Sequence, residues 1–281
     1  MYNDILDQIV WSFSSVNSFN VCPKNFYMRR IEKTSTKNNA FAQWGSFMHS
    51  LLEAYFKGEA DFFDLPFMYM DDYENHITEK FPPNKYVDLS ESYYDAGLNY
   101  LNNFEGLDSR YDVVSVEQKC LMDVGEYKFI GFIDLVLRDK SDGRLMIWDH
   151  KSKSKFTSKR ELSEYLRQLY LYAAYVKEQY GEYPKTLSFN MFRAGQIIDT
   201  DFKLDDCNAA IDWFISSIDK IYSTTSFTDK ITMAYYEKMK DIEDFKCDDF
   251  FCNNLCDTRE HCPRSVAYNK KRPQRKRKST A

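Results

Sequence analysis

The chain has 281 residues, 43% hydrophobic and 29% charged, with a formal net charge of −5 at pH 7. That is enough to bury a sizeable core as one large domain, or one domain with additions, and the composition is ordinary for a soluble globular protein. There is no run of about 18 apolar residues, which argues against a membrane span, and Met1-Tyr2-Asn3-Asp4 does not open a signal peptide.

A reducing cytoplasm is therefore the expected setting. There, seven cysteines are better explained as metal ligands or buried thiols than as disulfides. Aromatic residues make up 17% of the chain, which fits either a large aromatic core or exposed rings that stack on bases. The stretch Lys270-Lys271-Arg272-Pro273-Gln274-Arg275-Lys276-Arg277-Lys278 holds seven basic residues and no acid; without it the remainder carries −12. Such a tail suits a polyanion, or serves solubility alone.

In chain order, Ser14 or Ser15 caps a short helix that ends near Cys22-Pro23, and a second helix starts at Pro23. Thr34 to Asn39 reads as a loop. Phe41 to Gly58 reads as a helix, with Phe47, Leu51, Ala54 and Tyr55 at helical spacing and Gly58 at its end. His49 and Glu53, four apart, share a face. Residues 62 to 105 are helical but broken by Pro66 and Pro82-Pro83, with Ser90 to Phe104 the best helix.

From residue 112 the period changes to that of strands. These run Val113 to Leu121, Tyr127 to Leu137 and Arg144 to His150, the last two joined through the turn signal Asp142-Gly143. Glu161 to Tyr180 is an amphipathic helix with Leu162, Tyr165, Leu169, Tyr172 and Val176 along one side. Strands over Thr186 to Phe192 and Ile197 to Phe202 precede a helix over 205 to 222. The order implies an α/β fold: a mixed central sheet flanked by helices. It divides into an N-terminal helical segment (1–110) carrying Cys22 and His49, a core (111–225), a cysteine-rich end (226–265) and a basic tail (266–281).

Two short stretches carry the chemistry. Gly131-Phe132-Ile133-Asp134 and Leu145-Met146-Ile147-Trp148-Asp149-His150-Lys151 each place an acid at the end of an apolar run. Strand alternation points Asp149 and Lys151 one way and His150 the other. Two carboxylates on neighbouring strands can hold a hard divalent cation, and a lysine beside them can orient a water or stabilise developing negative charge. Either stretch alone would pass for surface acids at strand ends. Four cysteines follow at Cys247-x4-Cys252-x3-Cys256-x5-Cys262, a spacing dense enough to point to metal. Cys120 and Cys207 read as buried thiols. Neither a Gly-x-x-x-x-Gly-Lys-Ser/Thr loop nor a Gly-x-Ser-x-Gly elbow occurs, so no ATP-driven motor and no serine hydrolase is expected.

Assembled in order, these residues resemble the PD-(D/E)xK nuclease superfamily, with a restriction-endonuclease-like core. They are most similar to its RecB-like branch of phage and CRISPR-associated exonucleases. Gly45-Ser46-Phe47-Met48-His49-Ser50-Leu51-Leu52-Glu53 resembles the helical histidine motif, and Gly131 to Asp134 the central aspartate motif. Asp149-His150-Lys151 resembles the acid-x-Lys motif, and Gln168-Leu169-Tyr170-Leu171-Tyr172 the Gln-x-x-x-Tyr motif.

The resemblance implies that His49, Asp134 and Asp149, with the backbone carbonyl of His150, bind Mg²⁺ or Mn²⁺. It implies that Lys151 positions water or stabilises charge, and that Gln168 and Tyr172 contact the substrate strand or hold the site in shape. Glu117 is either a further acid near the metal or an ordinary strand residue. His150 stands where relatives often carry an aromatic such as Tyr, facing away from the metal.

The branch also implies a [4Fe–4S] cluster on Cys22, Cys252, Cys256 and Cys262, clipping the two ends of the chain together. Its usual Cys-x2-Cys is x3 here, and Cys247 is spare, so Zn²⁺ on Cys247, Cys252, Cys256 and Cys262 stands as the alternative. The expected activity is a metal-dependent DNA exonuclease acting on single strands or free ends, beside a helicase, recombinase or integrase. The alternative is a nucleic-acid-binding module that does not cleave.

Overall fold

The computed structural model describes residues 2–226, 250–262, 265 and 266. The first helix, α1 (Tyr2–Leu6), leads to α2 (Phe13–Val21) and α3 (Pro23–Arg30). The residue that caps α2 is Ser12, not Ser14 or Ser15. Its hydroxyl accepts from the Ser15 amide while the Ser15 side chain accepts from the Ser12 amide, so Ser15 serves three residues in as the reciprocal half of a capping box. Pro23 opens α3 as expected.

The long helix α4 (Ala40–Phe56) is capped by Asn39 and stops just before Gly58, whose φ of +73° lets the chain fold back onto the last turn. Pro66 does not break the next stretch but sits in the first turn of α5 (Leu65–His76), while Pro82-Pro83 lie in the gap before α6 (Leu89–Asn102).

The sheet is built from β1 (Tyr111–Val124), β2 (Tyr127–Asp139), β3 (Leu145–His150), β4 (Thr186–Met191) and β5 (Gln196–Asp201), in the spatial order β1-β2-β3-β4-β5. β1 to β3 form an antiparallel meander; β4 joins β3 in parallel through the crossover helix α7 (Lys159–Tyr180), and β5 returns antiparallel. The final long helix is α8 (Leu204–Ser226). The mixed sheet flanked by helices is the expected fold class.

Helices cover both faces, which is why every residue of β3 and of β4 is buried. On one face Ile133, Val136, Leu145, Ile147 and Phe189 pack against Leu169, Tyr172 and Val176 of α7 and Phe214 and Ile218 of α8. On the other, Leu135, Leu137, Met146 and Trp148 meet Trp44, Met48 and Leu52 of α4 and the tyrosines of α5 and α6. Much of the aromatic content fills this second core, with Trp44 donating to the Tyr69 hydroxyl at 2.9 Å.

Two irregularities position the site. First, the pairing of β2 with β3 runs from Arg138↔Leu145 to Leu135↔Trp148. The next residue on each strand is an acid, Asp134 and Asp149. Beyond this fork Trp11 takes the place of β3 beside β2, with its amide on the Lys128 carbonyl (2.8 Å) and its carbonyl on the Ile130 amide (2.7 Å). Second, the alternation of β2 slips at Asp134. Ile133 and Leu135, two apart, belong to opposite cores, whereas a regular strand would put them on one face. Across from the slip, Glu117 of β1 has φ +47°, a left-handed backbone that costs a non-glycine residue of order 1–3 kcal/mol.

Candidate active site

At the fork the side chains from three elements converge. His49 comes from the middle of α4, Glu117 from the strained position of β1 and Asp134 from the slip of β2. One ligand atom from each lies within 4.8 Å of the other two, the only such group of three among the described residues. His49 Nδ1 is 3.6 Å from Asp134 Oδ2, and the same carboxylate oxygen accepts the His150 backbone amide at 2.6 Å. Asp134 is thereby tied to β3 at the point where the strands part.

Asp149 stands beside this group rather than in it. It is 3% exposed, and its Oδ2 lies 2.7 Å from the Lys151 Nζ. Lys151 in turn donates to Gln168 Oε1 at 3.1 Å, and Gln168 Nε2 donates to the Tyr172 hydroxyl at 2.9 Å. The chain Asp149–Lys151–Gln168–Tyr172 thus runs from the strand end to α7, and the four-residue spacing of Gln168 and Tyr172 puts both on one face of that helix. The amide of Lys151 donates to the Asn190 carbonyl of β4 at 2.8 Å, which fixes the backbone on the other side.

His150 points to the face opposite Asp149 and Lys151, as alternation requires, but that is the face of His49, so the ring does not turn away from the metal-compatible group as expected. Its buried ring stacks on Phe56, meets the ring of His49 edge-on, and shares a hydrogen bond of 3.0 Å between its Nδ1 and Asn190 Nδ2. With Nδ2 as donor, Nδ1 is the accepting nitrogen.

Charge is crowded here. Burial, then the neighbouring Asp134 and Glu53 carboxylates, push Glu117 up to about 7. Burial and Asp134 also push Asp149 up, against the pull of Lys151. Burial pulls the Lys151 ammonium down, but Asp149, with Asp134 and Tyr165, more than reverses this, so the lysine stays charged. Burial drives His150 down to about 3, so its ring is neutral. Three carboxylates with one partnering lysine leave uncompensated negative charge, which a divalent cation would relieve. The donor set of one imidazole and several carboxylate oxygens fits Mn²⁺ or Mg²⁺.

A second constellation joins the ends of the chain. Cys22, at the junction of α2 and α3, lies close enough to Cys256 and Cys262 for both thiols to raise its pKa, though burial is the larger cause. Asn25 Nδ2 reaches Cys256 Sγ at 3.4 Å and also donates to Asp257 (2.8 Å) and Thr258 (3.1 Å). Arg259 donates to the carbonyls of Lys37 and Asn38, and Asn39 donates to that of Leu255 at 2.8 Å. Cys252, in the π-helical turn Phe251–Leu255, is disulfide-bonded. Cys247, the extra ligand of the zinc alternative, and residues 267–281 of the basic tail lie outside the described residues. Cys120 and Cys207 are buried free thiols.

A profile of the PD-(D/E)XK nuclease superfamily matches residues 10–263. The chain belongs to this superfamily. The nuclease therefore carries metal-dependent nuclease chemistry with DNA as its class of substrate. No curated protein matches the chain. Among the described residues of the nuclease, no helix is long and apolar enough to cross a membrane.

His49, Asp134, Asp149, Lys151, Gln168 and Tyr172, the residues of the four motifs, all reach one fork. Glu117, ambiguous from its place in a strand, shares the metal-compatible group with His49 and Asp134. The only sequence signal was an acid within a strand. The backbone slip that aims it has no counterpart in the residue pattern.

Proposed function

We propose that the protein is a DNA exonuclease that hydrolyses phosphodiester bonds at strand ends, with a catalytic core over residues 111–225 and its histidine supplied from the N-terminal helical segment. The observation that supports this most is the meeting of His49, Glu117 and Asp134 beside the Asp149–Lys151 pair. A bound Mg²⁺ or Mn²⁺ would polarise the phosphoryl oxygen and lower the pKa of an attacking water.

In this reading His49, Glu117, Asp134 and Asp149, with the His150 carbonyl, hold the cation. Lys151 orients the water and stabilises the charge that builds on the phosphoryl oxygens. Asp149 keeps the lysine charged at its place, and Gln168 fixes its direction through Tyr172. The neutral His150 ring, held by Asn190, sets the backbone that carries both the carbonyl and the amide bonded to Asp134.

The test is degradation of linear, end-labelled DNA and of closed circular DNA with Mn²⁺. The parent shortens linear DNA from its ends and spares circles, while Asp149→Ala and Lys151→Ala abolish cleavage and keep the fold. Binding of DNA without any Mn²⁺-dependent degradation would instead support a module that only binds.

We further propose a [4Fe–4S] cluster on Cys22, Cys252, Cys256 and Cys262. The nearness of Cys22, Cys256 and Cys262 supports it, and Cys252 would join as a thiolate, not as half of a disulfide. Anaerobic purification separates the readings: brown colour with iron and sulfide supports the cluster, whereas one zinc per chain supports a local site with Cys247.

A further inference from the structure

The strand pair that carries Glu117 and Asp134 continues past them as a two-stranded ribbon whose outer side is not covered. Ile133 and Gly131 of β2 face α7, Gly131 directly against the Tyr172 ring. Cys120 and Met122 of β1 face the same way. Phe132, Lys119 and Leu121 therefore point to the opposite side, the side of Glu117 and Asp134. Phe132 is 50% exposed and Leu121 53%.

Lys119 and Phe132 are directly paired in the register of the two strands. Lys119 is two residues after Glu117, and Phe132 is two before Asp134. A Lys–Phe pair thus follows the Glu–Asp pair by two strand steps, or about 6–7 Å. Lys119 is exposed, with no acidic partner among the described residues. A solvent-facing side of a ribbon is ordinarily polar, so an aromatic ring with a leucine and an unpaired cation calls for an occupant.

We propose that Phe132 is the platform on which the base of the nucleotide next to the scissile phosphate stacks, with Lys119 on that strand's phosphate and Leu121 extending the apolar surface. The occupant is single-stranded DNA. The surface is continuous with the acidic group, it offers one π-face and one positive charge per strand pair, and a base paired within a duplex does not offer its face to a ring. Phe132 is thereby a residue that selects unpaired strand, and the inference rests on the nuclease reading of the adjacent site.

The test uses the full-length protein in Ca²⁺ and two short fluorescein-labelled probes, oligothymidylate and the same backbone with abasic sites, read by fluorescence anisotropy. Phe132→Ala should weaken oligothymidylate binding roughly tenfold or more, in line with the loss of one aromatic–base stack. Phe132→Trp should retain binding, and the abasic probe should bind the parent and Phe132→Ala alike. Lys119→Ala should weaken both probes equally. Because Phe132 is exposed, its variants should unfold at the parent temperature. Parent-like binding of oligothymidylate by Phe132→Ala, or an equal loss on the abasic probe, overturns the stacking assignment alone. A parent that binds neither probe overturns the nuclease reading with it.

Discussion

Gly131 packs so tightly beneath Tyr172 that a Cβ on the glycine would overlap the tyrosine Cε1. The glycine of the second motif and the tyrosine of the fourth are thus one contact, made across the interface of β2 and α7. Adding a methyl group there must displace a buried ring. Gly131→Ala is expected to cost about 1–3 kcal/mol of stability, read as a lower midpoint in urea with unchanged slope. Tyr172→Phe keeps the ring and should be near neutral for stability while lowering cleavage through the lost Gln168 bond. A stable, fully active Gly131→Ala would contradict the contact.

Asp149 is buried and Lys151 partly so, and removing either member strands the other. Asp149→Asn and Lys151→Met should each destabilise, and the double variant should be more stable than the sum of the two losses, by roughly 1–3 kcal/mol of coupling. Chemical denaturation of the four proteins measures this. Strict additivity would mean that the two side chains do not interact.

Two groups of the site give the metal-free protein opposite pH slopes. Glu117 is raised from about 4.5 to about 7, so the folded chain keeps a proton that the unfolded chain has released. Its contribution is present below pH 4.5 and is lost as pH rises through 7. His150 is lowered from about 6.5 to about 3, so its contribution is present above pH 6.5 and is lost as pH falls towards 3. Relative to the parent, Glu117→Gln should gain stability as pH rises from 4.5 to 7. Mn²⁺ competes with the Glu117 proton, so its affinity, measured by calorimetry, should rise over the same interval and level off above it. A flat difference between parent and Glu117→Gln over that interval would remove Glu117 from the group.

Arg259 holds the C-terminal segment with a fork of donors: Nη1 reaches the Lys37 and Cys256 carbonyls at 2.7 and 3.0 Å, and Nη2 the Asn38 carbonyl at 3.0 Å. Arg259→Ala should hasten proteolytic cleavage of that segment, and Arg259→Lys should not rescue it, because an ammonium cannot span the three acceptors. Limited proteolysis followed by mass determination reports both.

Much of the fold could be read from residue patterns because each element carries its own punctuation. Pro23 starts a helix, Pro82-Pro83 separate two, Asp142-Gly143 turns a hairpin, and the stripe from Leu162 to Val176 faces a core, whereas Pro66, which reads as a breaker, instead sits in the first turn of α5. The four motifs could likewise be read in order. The slip at Glu117 and Asp134 could not. The even positions Val114, Val116, Gln118, Cys120 and Met122 look like one uninterrupted face, yet Val116 packs against one core and Cys120 lies in the other. Leu135-Val136-Leu137 is apolar throughout, so it carries no phase at all. Ser12 was overlooked as the cap for a related reason, since three nearby serines offer the same chemistry and only the backbone chooses among them.

Asn39 joins two distant parts of the molecule: its Oδ1 accepts from the Ala42 amide at the start of α4, and its Nδ2 donates to the carbonyl of Leu255. The helix that presents His49 is thus anchored by residues made more than two hundred positions later. Loosening of the cysteine-bearing segment would therefore be felt at the start of the helix that presents His49, far from that segment in sequence.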